Sequence, residues 1–203
     1  MPSVYTGEDT GRAKLLQQAS DWDLVARAQK GDLDAFTLIV NQYKMRLFGY
    51  ILRMIHSRED AEDILQEVFL RVYSSLARYS PQYQFSTWIY RIAQNLCIDH
   101  LRRRKLSTFS VDEKFGSEEE LTLELPDESM SPESIFESNA VKQEVEEAIY
   151  ELPVKYRSVI ILRHIQDLSY EEISQIMDMP VNTVKTHIFR ARRILRRRLQ
   201  DAI

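Results

Sequence analysis

The sequence predicts an all-α protein: two small helical domains joined by an acidic flexible linker, with a helix-turn-helix in the C-terminal one. Three observations carry that expectation. Apolar residues recur at three- and four-residue spacing through most of the chain, and no alternating strand pattern interrupts them. Between residues 106 and 138 that period lapses and acids dominate. After Leu168, a capped short helix, a proline-bearing turn and a long basic helix follow in immediate succession.

Composition sets the outer bounds. A chain of 203 residues accommodates one or two domains, and a 44% hydrophobic fraction supports real cores. The single Cys97 excludes an intramolecular disulfide framework and suits a reducing cytosol. No apolar run approaches the roughly 20 residues of a membrane span, and the N-terminus lacks a signal-peptide core, so a cytoplasmic protein without membrane insertion is expected. The formal charge of −4 hides a segregation. Residues 106–138 hold ten acids and one base, a charge of −9, so the rest of the chain carries +5. Local charge, not the total, attracts phosphate.

Taken in order, residues 1–20 lack sustained periodicity and read as a mobile tail. A helix starts at Asp21, with Trp22, Leu24, Val25 and Ala28 on one face, and Gly31 suits its C-cap. A longer helix spans Leu33 to His56, its stripe formed by Phe36, Ile39, Val40, Tyr43, Leu47, Tyr50, Ile51 and Met54. Ser57 caps a third helix whose first turn is acidic, favourable at the positive end of the helix dipole. That helix buries Ala61, Leu65, Val68, Phe69, Val72 and Leu76, and presents Asp63, Gln66, Glu67 and Leu70 on the opposite side. An exposed leucine ringed by acids and an amide is either ordinary surface or the anchor for a basic protein partner.

The segment 78–86 is dense in aromatics, with Tyr79, Tyr83 and Phe85 around Pro81, and Thr87 is a candidate cap for a helix from Trp88 to Arg104. Its core stripe is Trp88, Ile89, Ile92, Ala93 and Leu96; the other face carries Arg91, Asn95, Ile98 and Arg102, running into Arg103, Arg104 and Lys105. Tyrosines beside a basic helix suit single-stranded nucleic acid, where bases stack on rings and cations follow the backbone. The competing reading makes the aromatics core and the arginines complements of a helix C-terminus. Trp88 fits the core; for Tyr83, Phe85 and Asn95 the two readings balance.

Helical pattern resumes at Asn139 and runs to Glu151, Leu152-Pro153 ends it, and a helix from Lys155 to Gln166 leads into the helix-turn-helix. There Ser169 and Glu172 form a capping box, and Pro180 stops the first helix by Met179. In the second helix Val184, Ile188, Ala191, Leu195 and Leu199 form a buried stripe. Its other face carries Lys185, Thr186, Phe189, Arg190, Arg193, Arg196 and Arg197, suited to phosphates and base edges. A charged helix face is by default solvated surface, but recognition residues belong on the second helix of this motif. No glycine-rich phosphate loop or nucleophile motif is present, and Cys97/His100 is the only metal-like spacing. Two ligands do not make a site, so neither enzyme nor cofactor nor metal is expected.

Three segments, AEDILQEVFLRVY (61–73), FSTWIYRIAQNLCIDHLRRRK (85–105) and LSYEEISQIMDMPVNTVKTHIFRARRIL (168–195), stand in an order that resembles bacterial sigma factors of the sigma-70 family, specifically the compact extracytoplasmic-function group. The resemblance covers nearly all of residues 21–202. It implies a dissociable subunit that brings core RNA polymerase to promoter DNA and helps open it, with no small-molecule substrate. Residues 21–105 would be sigma domain 2, 106–138 the linker and 139–203 sigma domain 4. Asp63, Gln66, Glu67 and Leu70 would dock on the coiled coil of the largest polymerase subunit, and the second body on its flap. Tyr79, Tyr83, Phe85, Arg91, Asn95, Arg102 and Arg103 would serve the −10 element: Asn95 near a flipped base, the loop from Tyr79 to Phe85 as pocket wall, the arginines on the backbone. Flipping costs a few kcal/mol of stacking, which such a pocket must offset. Lys185, Thr186, Phe189, Arg190 and Arg193 would contact the −35 element.

The acidic linker would thread the polymerase cleft toward the RNA exit path. An anti-sigma protein is a further implied partner, although no residue identifies one. Lys185 and His187 stand where relatives commonly carry arginine, so base preference does not transfer in detail. The alternative is a LuxR-type regulator, whose output domain shares the TVKTHI-like string. It requires an N-terminal α/β receiver, where this sequence shows helices.

Overall fold

The computed structural model describes residues 21–80, 82–108 and 132–200, and side-chain surroundings over 21–80, 82–105 and 141–200. The expected tail, Pro81 and most of the acidic linker lie outside them. All regular elements among the described residues are helical.

Helix α1 covers 21–29 and ends at Gly31, whose φ of +92° glycine adopts without strain. Asp32 then caps α2 (Leu33–Ile55), its carboxylate accepting from the Ala35 amide at 3.0 Å. That amide first, and Arg27 second, hold the Asp32 carboxyl below its usual range. Helix α2 buries Ala35, Ile39, Tyr43 and Leu47 along one stripe, and then Tyr50, Ile51, Leu52, Met54 and Ile55 almost all round. Ser57 caps α3 (Arg58–Ser75), which buries Ala61, Ile64, Val68 and Val72. A short 3-10 turn at Leu76–Arg78 follows.

Helix α4 runs from Phe85 to Thr108, three residues earlier and four later than the sequence suggests. Thr87 is therefore not a cap. It lies inside the helix, 2% exposed, with its hydroxyl unpartnered. The aromatic roles at the start of α4 also exchange. Phe85, 4% exposed, is core, held edge-on by Tyr43 and Tyr79, while Trp88 is only half-buried. Tyr90, Gln94 and Cys97, none of them in the expected stripe, are buried as well, and burial pushes the Cys97 thiol up to about 12.

The second body contains α5 (Pro132–Glu151), α6 (Val154–Ile160), α7 (Tyr170–Met177) and α8 (Val181–Gln200). Helix α5 begins seven residues before the expected start at Asn139, with Pro132 at its first position, where a missing N–H costs nothing. After α6 the backbone widens into a π turn at Ile161–Ile165, with the Gln166 amide donating to the Ile161 carbonyl at 3.0 Å. The expected helix through Gln166 thus ends in a changed register that turns Gln166 inward. Both halves of the Ser169/Glu172 capping box form at the start of α7.

The two bodies share one contiguous core. Helices α5 and α6 pack on the end of α2, which explains its burial on nearly every side, and α7 packs on α4. Much of the junction is polar and hydrogen-bonded. Tyr90 donates to Gln166 at 2.5 Å, Gln94 donates to Ser158 at 3.1 Å, and Tyr50 donates to Gln94. Buried Arg157 donates to the Met54 carbonyl of α2 at 2.6 Å and to the Tyr150 and Leu152 carbonyls at the end of α5. These are terminal carbonyls that no further helical turn can satisfy, so one guanidinium caps a helix from each body.

Candidate nucleic-acid interface

The second helix of the helix-turn-helix is amphipathic as its sequence requires. Val184, Ile188 and Ala191 are buried against α6 and α7, leaving Lys185, Thr186, Phe189, Arg190 and Arg193 exposed on one face. Phe189 is 66% exposed, which nothing in the fold itself requires. Thr186 donates to the Asn182 carbonyl one turn back, and Lys185 lies 5.9 Å from the Tyr170 ring. Arg196 and Arg197 extend the cationic face, while Arg198 is bound to Glu151 at 2.9 Å and Arg192 to His164.

The first turn of α6 joins this face, a connection the sequence reading missed. The Tyr156 ring meets His187 edge-on at 5.4 Å, and Lys155 sits 5.0 Å from the same ring. A hydrogen bond with Arg190, followed by the Lys155 and Arg190 charges, holds the Tyr156 phenol below its usual range. A lysine-aromatic pair opening the helix before a helix-turn-helix was the available signal.

The expected −10 residues divide between two places. Tyr83, Arg91 and Asn95 line a cleft of about 700 Å³ between α4 and α7, together with Thr87, Trp88, Ile92 and the segment Ser174, Gln175, Asp178, Met179 and Pro180. Tyr79 and Phe85 instead line a small pit beside Asp21 and Trp22. Phe85 is thus corrected from pocket wall to core, and the aromatic wall beside Asn95 is Trp88 with Tyr83. Tyr79 supports that loop, its hydroxyl donating to the Tyr83 carbonyl at 2.6 Å; burial first, then the Asp21 charge, pushes its phenol up to about 12. Arg91 pairs with Asp178 at 3.5 Å across the cleft. Arg102 and Arg103 are exposed farther along α4, outside the cleft lining, with Arg102 held by Asp99 at 2.7 Å.

On α3, Asp63, Gln66 and Leu70 share an exposed face, Leu70 at 65%, and Glu67 is half-buried and paired with Arg71 at 2.7 Å. Exposed Tyr73 adjoins them, its ring edge-on to Phe36 at 5.0 Å. The described residues contain no group of three or more metal-ligating side chains, and none of their helices is long and apolar enough to cross a membrane.

Comparison with known proteins finds two family models. Residues 39–106 match Sigma-70 region 2 and residues 142–195 match Sigma-70, region 4. The ECF RNA polymerase sigma factor SigW of Bacillus subtilis (strain 168) is 39% identical over 179 residues, which span 87% of this chain and 95% of the relative. The ECF RNA polymerase sigma-E factor of Escherichia coli (strain K12) is 37% identical over 195 residues, 93% of this chain and 99% of the relative. In fold the chain is similar to CnrH, solved in complex with the cytosolic domain of CnrY: TM-score 0.66, 23% identity, 90% of this chain and 98% of that one. It is also similar to the sigma factor RpoE of Bartonella quintana, solved with the anti-sigma factor NepR: TM-score 0.67, 19% identity, 81% of this chain and 96% of that one.

Proposed function

The chain belongs to the sigma-70 family as a sigma factor of the extracytoplasmic-function group, and from that premise we propose how its residues divide the work of promoter-directed initiation. Residues 21–105 form the body that docks on core RNA polymerase and captures the −10 element. Residues 139–203 form the body that reads the −35 element as duplex, and 106–138 connect them through the polymerase. Asp63, Gln66, Glu67 and Leu70 bind the coiled coil of the largest subunit, and the second body engages the flap. Asn95 meets a flipped −10 base between Tyr83 and Trp88, with Arg91, Arg102 and Arg103 on the strand's phosphates. Lys185, Thr186, Phe189, Arg190 and Arg193 enter the major groove. The protein acts in the cytoplasm by binding, without a catalytic step of its own, and an anti-sigma protein is its regulator.

The observation that carries this reading is the amphipathicity of α8: its apolar stripe is spent on the fold, and its exposed side offers cations, a threonine and a phenylalanine on the recognition helix of a helix-turn-helix. A LuxR-type regulator lacks support, because the described residues ahead of that motif are helical where a receiver would need strands. The test is run-off transcription with core polymerase on a promoter library, sequencing the products. Transcripts that share paired upstream motifs establish both DNA elements together. Absence of transcripts, combined with failure to bind core polymerase, refutes the division.

A further inference from the structure

We propose that His187 is a proton-dependent phosphate contact of the −35 interface: neutral in the free protein, it takes up a proton as the DNA backbone arrives and donates to a phosphate through Nε2. The inference rests on the reading of α8 as the −35 recognition helix. His187 stands in the first half of α8, half-buried between exposed Thr186 and buried Ile188, at the margin where the exposed face meets α6. Residues at the centre of a recognition helix meet base edges, whereas those at its margin meet the walls of the groove, which are phosphate.

The other histidines have partners supplied by the fold. His100 faces the Asp60 carboxylate at 3.6 Å, His164 accepts from Arg192 at 3.0 Å, and His56 stacks on Tyr150 at 4.2 Å. His187 meets only the edge of the Tyr156 ring, at 5.4 Å, and its Nδ1 is buried without a hydrogen-bonding partner among the described residues. Nε2 is therefore the nitrogen left to bond a ligand. The titratable and charged groups around it are Tyr156 and Lys155 of α6, the lysine 5.0 Å from the same tyrosine ring, and Arg190 of α8. Among the described residues neither α5 nor α7 brings it a charged group, and no carboxylate offsets the two cations. Burial first, and then Lys155 and Arg190, thus keep the free ring neutral. DNA reverses the sign of these surroundings. A duplex carries one negative charge per about 1.7 Å of its axis, so phosphates drawn to Lys155 and Arg190 also surround His187. The bound ring then holds its proton more tightly than the free one. Binding takes up a proton, and affinity rises as pH falls through the interval between the bound and free values.

The test measures the affinity of the full-length protein for a −35 duplex recovered from the promoter library, by fluorescence anisotropy at about pH 8 and about pH 6, on either side of the ordinary imidazole range. Wild type is expected to bind at least about fivefold tighter at the lower pH, since one unit of pKa difference is worth up to about tenfold. The salt dependence of its affinity should steepen by about one phosphate contact. His187→Gln has no titrating group and should bind at both pH values as wild type does at the higher one. His187→Arg, a permanent cation, should bind at both as wild type does at the lower one. His164→Gln should keep the wild-type response. In NMR spectra the His187 ring, assigned by its loss in His187→Gln, should titrate at higher pH in the complex than in the free protein. A ring that titrates alike in both states overturns the inference, as does a response that persists in His187→Gln. A gain at low pH without a steeper salt dependence overturns the phosphate assignment. Wild type that binds the −35 duplex no better than unrelated DNA at either pH refutes the reading of α8 and the inference together, whereas specific binding with a flat pH profile refutes the inference alone.

Discussion

Arg157→Met tests the strongest polar feature of the fold. Arg157 is 7% exposed, donates to carbonyls that end α2 and α5, and lies 4.3 Å from the Tyr150 ring. Burial lowers the affinity of its guanidinium for a proton, an indication that the site charges for the cation. Methionine keeps most of the volume and removes every donor. Hydrogen bonds from a charged donor contribute about 1.5–3 kcal/mol each. The bonds to Met54 and Tyr150 are close and the one to Leu152, at 3.3 Å, is weak, so the gross loss is about 4–5 kcal/mol. Relief of the buried charge returns about a third of it, leaving a net loss of about 3 kcal/mol. Urea denaturation followed by circular dichroism measures this directly. A loss below about 1 kcal/mol would refute the claim that one guanidinium ties the two bodies through their helix ends.

Arg190→Ala is expected to weaken binding to −35 duplex by ~1–3 kcal/mol and to relax base preference at one position, measured by titrating single-base variants; equal weakening on unrelated sequences would make it a phosphate contact. Leu70→Asp should abolish co-purification with core polymerase while leaving the melting temperature within a few degrees, since the side chain is exposed. Retained co-purification would reduce that face to ordinary surface. Stability should fall on acidification. His164 and His187 are held below the ordinary imidazole value of 6.5, each by burial first, then by Arg192 and Arg163 around His164 and by Lys155 and Arg190 around His187. Because the folded values are depressed, the unfolded chain takes up protons first; the stability carried by the neutral rings is complete above 6.5 and is lost as pH falls through the folded values. The His164→Gln/His187→Gln double variant should flatten the denaturation midpoint between about pH 7.5 and 5.5, and an unchanged slope would contradict this.

Local chemistry made several elements readable in advance. Gly31, Ser57 and the Ser169/Glu172 box act within four residues of themselves, and all three end or start a helix as expected. The stripe Val184, Ile188 and Ala191 needs only a 3.6-residue period to be recognised, and with it the exposed face opposite. Where the reading failed, the deciding partner was remote. Thr87 looks like a cap by type and position, yet the helix begins before it because Phe85 is drawn into the core by Tyr43, forty-two residues away. Tyr156 meets His187 only because α6 and α8 pack together.

The sequence by itself determined the all-helical class, the position of the helix-turn-helix, the segregation of charge and the faces of α3, α4 and α8 on which the proposed contact residues stand. Each follows from periodicity and capping, which are properties of neighbours in the chain. Only the tertiary structure decided that the two bodies share a core, that Tyr90, Gln94, Arg157, Ser158 and Gln166 are buried where they meet, and that Asp178 faces Arg91. Those polar residues carry no periodic mark of burial. Their burial is tolerated because each finds a hydrogen-bonding partner on the other body, and such pairing exists only once the chain has folded.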